Sequence, residues 1–563
     1  MKIQSISTSI NTLSGGVDSL SGKIEGLADS LSEAIEGLVV EEPVVEEEDV
    51  ELIIGTTRNV GGVMTPTWVT GEMAVVVDQL FEGLVQYRPG TNELEPILAE
   101  SYETEDAQSW TFHLRKGIKF HDGTSFDATA VKDHFDRSFE TEAGLTYLYT
   151  RFLLEDSREN PSVVVIDDYT VEFNLQVPHN GWPKILANFA AFIESPTSVE
   201  TYGLEGMNEH PTGTGPFKFV SQKLEDNVIV EANQDWWRLD PSIAGDAYAG
   251  IDEIQIDRVK YQKLADASTL RFATEIGQID IAKGDFNPDD FADLLANPDL
   301  LAIDRGAAEG MRYAIFQGNP SFETFQSKTM RQAFAYAIDV DLIIESVFKG
   351  YASRAQSYMP VEYEEYKDVY PYEYNPEKAK ELIAAAGFET PVKIEVHWST
   401  EYGSTERDVI SIIKTSAAEA GFDVDTSNSW ERASFREMKG AHAMEVSLWR
   451  WSADYFDHDA WTTPFMSSTG SKNRDYELYN TDFGRDIGAD YVDALVIEAI
   501  GTADPDRKME VLHEIQDLHG EYLPEFFLWR PKKFSFVSKE FQDVLWGPIG
   551  HYDFDYWMAS KTK

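Results

Sequence analysis

Hydrophobic residues in the first forty positions repeat with a helical period. Ile3, Ile10, Val17, Ile24, Leu31 and Leu38 are spaced by seven, and Ile6, Leu13, Leu20, Leu27 and Ala34 follow three residues after the first five of them. This is the a/d pattern of a heptad, sustained over about five repeats. β-Branched residues at a with mostly leucine at d favour a parallel dimer. Gly15, Gly16, Gly22, Gly26 and Gly37 each weaken the helix by roughly 1 kcal/mol. Positions e and g hold mainly Ser and Gly, so no interhelical ion pairs select a partner. The pattern predicts a helical, coiled-coil-like arm over 1–40 that serves as a stalk or oligomerisation element. The alternative is an amphipathic arm that lies on its own globular body or frays.

The period changes after an acidic linker, EEPVVEEED at 41–49. ELIIGTT opens a globular body as a short strand, and 74–84 reads as a buried helix ended near Gly83. In SWTFHLRKGIKFHDGTSFDATAVKDHFDR, Trp110, Phe112 and Leu114 alternate with polar residues as in a half-buried strand. Lys116-Gly117 is placed to turn the chain, Ile118 and Phe120 to begin a return strand, and Asp127 to cap a helix with Val131, Phe135 and Phe139 on one face. Two hairpins follow, at 163–175 and 217–230. Helix starts are marked by Ser327, Asp339 and Asn375-Pro376, with strands at 392–398 and 421–424. This alternation of helices and strands implies an α/β fold.

Composition narrows the class. A chain of 563 residues exceeds one ordinary core and predicts two to four domains. Hydrophobic residues at 42% support large folded cores. No apolar run reaches the eighteen or so residues needed to span a membrane. MKIQSISTSI has no signal-type apolar core, which raises the expectation of a missing upstream anchor. Cysteine is absent, which excludes disulfides, thiolate chemistry and a lipid-accepting cysteine. The balance of 47 basic against 99 acidic residues, a formal net charge of −52, excludes nucleic acid and anionic membranes as partners. It points to a salt-rich environment, as of a halophilic archaeon, with an ordinary acidic extracellular protein as the alternative.

Enzyme signatures are lacking. With 99 acids, paired carboxylates arise by chance and carry no glycosidase argument. The eleven histidines form no HExxH motif, and neither a phosphate-cradling loop nor a nucleophile elbow occurs. No cofactor is expected. The most chemically loaded window is 449–458, with Trp449, Trp451, Asp454, Tyr455, Asp457 and His458. An aromatic wall with one carboxylate suits an ammonium ligand, because ring faces and the carboxylate both attract cations. Asp454, Asp457, His458 and Asp459 as metal ligands are the weaker alternative to hydrated loop acids, so no metal site is expected. His121-Asp122 reads as a turn stabiliser.

Several segments resemble the peptide/nickel family of solute-binding proteins, family 5, the extracytoplasmic receptors of ABC importers. They are DQLFEGLV (78–85), ILAESYE (97–103), LRKGIKFHDGTSFDATAV (114–131), GTGPFKFVSQKLEDNVIVEANQDWWR (213–238), the DAST block within 251–282, MRQAFAYAIDVDLIIESVFKGYA (330–352), NPEKAKELIAAAGF (375–388) and LPEFFLWRPKKFSFVSKEF (523–541). Their order along the chain is also the family's. The resemblance implies a two-lobed periplasmic-binding-protein-like fold of class II with an extra subdomain. Lobe I would comprise 50–98, 213–308 and 521–563, the extra subdomain 99–212, and lobe III 309–520. It implies capture of di- or oligopeptides by hinge closure and delivery to ABC permease subunits outside the cytoplasm. Asp454 matches the aspartate of a W-x-[AG]-D motif that pairs with a peptide's α-amino group. Trp451, Trp449, Tyr455, Trp398 and Tyr402 are the other candidate ligand contacts. His458 stands where the family's DYxDP form has proline, which leaves the ligand class open. Nickel or a metal chelate, an oligosaccharide, a non-transport surface or stalk protein, a hydrolase, and a homodimer through 1–40 remain the other readings.

Overall fold

The heptad segment is one continuous helix, Lys2–Glu36, in a computed structural model that describes residues 2–36, 49–60, 74–138, 162–245, 252–284, 286–305, 310–400, 403–472, 477–547 and 554–562. The chain divides into two compact units, Met1–Asp49 and Val50–Lys563. In the first unit Leu13, Val17, Leu20, Ile24, Leu27 and Leu31 are 59% to 71% exposed. Gly15, Gly16, Gly22 and Gly26 have open space where a Cβ would stand, so packing does not require glycine there. No described helix is long and apolar enough to cross a membrane.

The second unit is built on two large sheets. One contains, among the described residues, seven strands in the order Leu300–Asp304, Phe534–Ser538, Ile281–Ala282, Glu51–Thr56, Arg258–Lys263, Asn227–Ala232 and Phe217–Lys223. Glu51–Thr56 pairs in parallel with both neighbours. Arg258–Lys263 is followed by the helix Ala267–Glu275 before the chain reaches Ile281–Ala282, a crossover of the kind that parallel neighbours require. The other sheet runs Ala352–Arg354, Glu525–Pro531, Met311–Phe316, Val446–Trp451, Val392–Ser399 and Phe422–Asp425, with Ser429–Trp430 also on Val392–Ser399. Every residue of Met311–Phe316 is buried, as suits a strand covered on both faces.

A four-stranded antiparallel sheet, Ala99–Glu103, Ser109–Leu114, Thr170–Asn174 and Val163–Asp167, forms a separate layer. Residues 118–120 do not form the return strand expected after Lys116-Gly117. Ser109–Leu114 pairs instead with Ala99–Glu103 and Thr170–Asn174, so both of its edges are already filled. The expected caps form. Asp127 accepts the amides of Thr129 and Ala130, and Ser327, Asp339 and Asn375 each cap their own helix; Asp266 caps a further helix for which no cap was expected. Phe139 lies outside the described residues.

The helix expected over 74–84 ends at Leu80. Its carbonyl accepts the amide of Gly215 instead of continuing the helix. That contact requires glycine. A Cβ at Gly213 would lie 2.2 Å from the Leu80 carbonyl oxygen, and one at Gly215 2.6 Å from that of Gln79. His121 closes the same loop. Its amide donates to the Gly213 carbonyl, its Nε2 lies 3.0 Å from the Gly215 carbonyl, and burial lowers its pKa to about 4. Asp122 accepts from the hydroxyls of Thr124, Ser195 and Ser198. His121-Asp122 is therefore a structural joint.

The chain passes from the first large sheet to the second between Asp304 and Met311, and returns between Pro531 and Phe534. The Arg305 amide donates to the Lys533 carbonyl at 3.0 Å, tying the two crossings together. The expected return to lobe I at 521 is thus corrected. Glu525–Pro531 pairs with Met311–Phe316 in the second sheet, and the boundary lies at 531–534.

Candidate functional site

At the crossings, a cavity of about 610 Å³ opens between the two large sheets. Thr57, Arg58 and Asn59 reach it from just past the strand Glu51–Thr56. Arg312 and Arg450 reach it from facing positions of Met311–Phe316 and Val446–Trp451. Arg432, at the start of the helix Arg432–Gly440, and Lys532 and Lys533, on the return crossing, complete the polar part. Phe286, Phe291, Phe348, Trp529 and Phe534 supply an apolar panel. Among the described lining residues Glu406 is the one carboxylate, and it is ion-paired with Arg312. Burial pushes the Glu406 carboxyl up, and the Arg312 guanidinium opposes that shift. The volume falls within the roughly 300–1,000 Å³ of small-molecule sites.

The window singled out on sequence reaches this cavity through Arg450, while Trp449, Trp451, Asp454, Tyr455, Asp457 and His458 are not among its lining residues. Side chains alternate along a strand, so Trp449 and Trp451 take the face opposite to Arg450. Trp449 stacks on Phe435 with ring centroids 4.4 Å apart, and its Nε1 donates to Ser447 Oγ. Trp451 meets Phe465 edge-on and donates to the Ala460 carbonyl, with Lys472 Nζ 4.5 Å from its ring centre. Asp454 is half-buried, and its carbonyl accepts from Asn188 Nδ2 at 3.0 Å. Tyr455 is buried and donates its hydroxyl to Asp459. Trp398, on the neighbouring strand Val392–Ser399, donates to the Thr426 carbonyl. Tyr402 lies outside the described residues.

The rest of the window fastens the second sheet to the N-terminal half. The Phe456 amide donates to the Tyr87 hydroxyl, and Asp457 accepts from Lys184 Nζ at 3.0 Å. Asp459 faces His179 at 3.4 Å. Burial pushes the Asp457 carboxyl up, but the nearby His458, Lys184 and His179 outweigh it and hold the group below the usual carboxylate range. Asp457, His458 and Asp459 therefore have partners within the protein. Among the described residues no group of three or more His, Asp or Glu is arranged to hold a metal ion.

The model of the bacterial extracellular solute-binding proteins, family 5, matches residues 93–473, more than half of the chain. The chain belongs to this family. Its members are substrate-binding receptors of ABC importers, not enzymes, and they work outside the cytoplasm with permease subunits. The chain is 27% identical over 503 residues to a glutathione-binding protein of Pectobacterium atrosepticum, covering 85% of this chain and 92% of that one. It is 26% identical over 509 residues to a heme-binding protein of Haemophilus influenzae, covering 86% and 87%. The fold is shared with the Helicobacter pylori periplasmic binding protein DppA, solved in complex with the peptide STSA, at a TM-score of 0.73 and 23% identity over 91% of this chain and 98% of that one. As a family 5 receptor, the protein carries the two lobes and extra layer expected of a class II binding protein.

The cavity cations were missed on sequence because no single motif collects them: Lys532 and Lys533 lie in the 523–541 segment, Arg450 in the 449–458 window, and Arg58, Arg312 and Arg432 in none of the segments that resemble the family. Arg58 and Lys533 are separated by most of the chain. The one linear signal is Arg450 between two tryptophans, and it points to the face opposite theirs.

Proposed function

We propose that this receptor captures di- or oligopeptides between its two large sheets and hands them to permease subunits, held at the membrane by the permease or by an anchor. The observation that carries this is the position of the cavity, where both sheets and the return crossing at 531–534 meet. A ligand there gains contacts with both lobes only in the closed form, so binding shifts the population from open to closed. Asp454 holds the peptide's α-amino group in this reading, and Trp451, Trp449, Tyr455, Trp398 and Tyr402 are the other proposed contacts. It follows Arg450 by four residues, at most about 13 Å of extended chain. The acidic surface suits a salt-rich medium.

A thermal-shift screen with tetra-alanine, N-acetyl-tetra-alanine, nickel–histidine and maltotriose tests the reading. Tetra-alanine should stabilise the protein, and Asp454→Ala should weaken it by roughly tenfold or more, the scale of a lost charge-assisted contact. The acetylated peptide should bind both proteins equally weakly. Stabilisation by nickel–histidine or maltotriose without any by tetra-alanine would replace the peptide reading.

The N-terminal helix supports a second proposal, a homodimer through 1–40. Its exposed heptad stripe, β-branched at a and leucine at d, is complementary to a second copy of itself. Such a two-stranded rod would extend about 50 Å. Sedimentation should give a dimer for the full chain and a monomer for residues 50–563; a monomer in both cases refutes the arm.

A further inference from the structure

We propose that Tyr87, Lys184 and Asn188 are positioning residues for ligand capture: they hold the 454–459 loop from across the cleft, and so favour the closed form and set Asp454 in place without touching the ligand. This rests on Asp454 being a ligand contact, as in the peptide reading. The chain crosses between the two large sheets at 304–311 and again at 531–534. Residues 50–304 therefore lie on one side of the hinge and 311–531 on the other. The segment 179–188 belongs to the first side. It runs into Ile193 and Ser195, whose amides donate to the carbonyls of Glu82 and Thr212 and tie it to the first lobe. A contact between this segment and the second lobe, away from the crossings, must part when the cleft opens.

Such contacts form a seam. Lys184 Nζ donates to Asp457 Oδ2 at 3.0 Å, the Tyr87 hydroxyl accepts the Phe456 amide at 2.9 Å, and Asn188 Nδ2 donates to the Asp454 carbonyl at 3.0 Å. Beside them, the Asn180 amide and Nδ2 donate to the carbonyls of Ile500 and Gly501, and His179 faces Asp459 at 3.4 Å. The loop that carries Asp454 is thus fixed at Asp454, Phe456 and Asp457 from the first side. In the open form water satisfies the same groups, so each contact adds a small net gain and the seam biases closure rather than locking it. Tyr87, Lys184 and Asn188 are absent from the described lining of the cavity, as suits groups that act on a loop rather than on the ligand. Apparent affinity scales with the fraction of protein in the binding-competent form, so weakening the seam weakens binding. Ligand enters the open form and leaves after reopening, so the loss falls on release rather than on capture.

Spin labels at Glu105→Cys and Ala503→Cys read the seam directly, because the chain has no cysteine of its own. Both positions are exposed. Glu105 lies two residues before Ala107, whose carbonyl accepts the His179 amide, and Ala503 lies two residues after Gly501. The labelled full chain, diluted in unlabelled protein, should give a short and a long distance between labels, with tetra-alanine raising the short population. The Lys184 side chain is 42% exposed, so Lys184→Met should fold normally. It should lower the short-to-long ratio roughly threefold and speed tetra-alanine release by a similar factor, with association unchanged. Lys184→Arg should keep both near the wild-type values. A merely structural role would change unfolding but neither of these readouts. One distance common to wild type and Lys184→Met, short or long, with tetra-alanine or without, would overturn the proposal, as would equal ratios and release rates. If tetra-alanine binds neither protein, the peptide reading fails, and the ligand-free distance ratio still decides the seam.

Discussion

Replacing Glu82 by alanine should destabilise the protein by about 3–5 kcal/mol, the cost of leaving a buried charge without its partner. Glu82 is 1% exposed. Its Oε2 accepts from Thr214 Oγ1 at 2.8 Å and Trp237 Nε1 at 2.7 Å, and its Oε1 accepts from Arg238 Nη2 at 3.0 Å. Arg238 is itself buried, and its guanidinium lies over the rings of Trp236, Trp237 and Trp557. Without the carboxylate, the guanidinium loses its ion-pair partner and two donors lose their acceptor in a place water does not reach. Glu82→Gln keeps an acceptor but not the charge and should cost less. In the double variant Glu82→Ala/Arg238→Met the buried cation is gone, so the two losses should sum to less than their separate values. Thermal and urea unfolding read all three. A loss below about 1 kcal/mol for Glu82→Ala would mean that the pair contributes little.

The second large effect is a pH dependence centred on His519. The ring is fully buried beside Tyr358, Tyr370 and Phe527, and its Nδ1 lies 3.0 Å from the Tyr370 hydroxyl. Burial lowers its pKa to about 3. The unfolded chain takes up a proton near pH 6.5, while the folded one does so only near 3. The stability held by neutral His519 is therefore complete above about pH 6.5 and is lost as pH falls toward 3, at about 1.4 kcal/mol per pH unit. Glu525, 3.3 Å from His519 Nε2, works in the opposite sense. Burial raises its carboxyl well above the usual range, against the pull of Arg331 and Lys472. It therefore costs stability as pH rises above its unfolded value. The difference between wild type and His519→Gln reads the histidine together with its contact to Glu525. That difference should shrink by about 1.4 kcal/mol per pH unit from pH 6.5 to 4 in unfolding experiments. A difference independent of pH would show that His519 is protonated in the folded state.

Glu82 also explains why some sequence blocks could be recognised but not interpreted. DQLFEGLV and GTGPFKFVSQKLEDNVIVEANQDWWR stand out as separate segments, and one carboxylate joins the first to both ends of the second in space. LRKGIKFHDGTSFDATAV belongs to the same joint through His121 and the carbonyls of Gly213 and Gly215. These blocks are framework around the first lobe, and the cavity lies elsewhere.

What the sequence by itself determined was local or cumulative. The caps at Asp127, Ser327, Asp339 and Asn375 formed as expected because cap and amide lie within three residues, where backbone geometry leaves few alternatives. The hairpins at 163–175 and 217–230 followed from period-two alternation around a short turn. Family membership was legible because many short motifs occur in one order. Tertiary structure alone decided the early end of the helix at Leu80, the crossing at 531–534 and the gathering of cations around the cavity. In each case the deciding contact joins residues far apart in the chain. Whether a carbonyl is taken by a distant amide, which sheet edge a strand fills, and which charges share a cleft are set by packing in three dimensions, and no nearby residue records them.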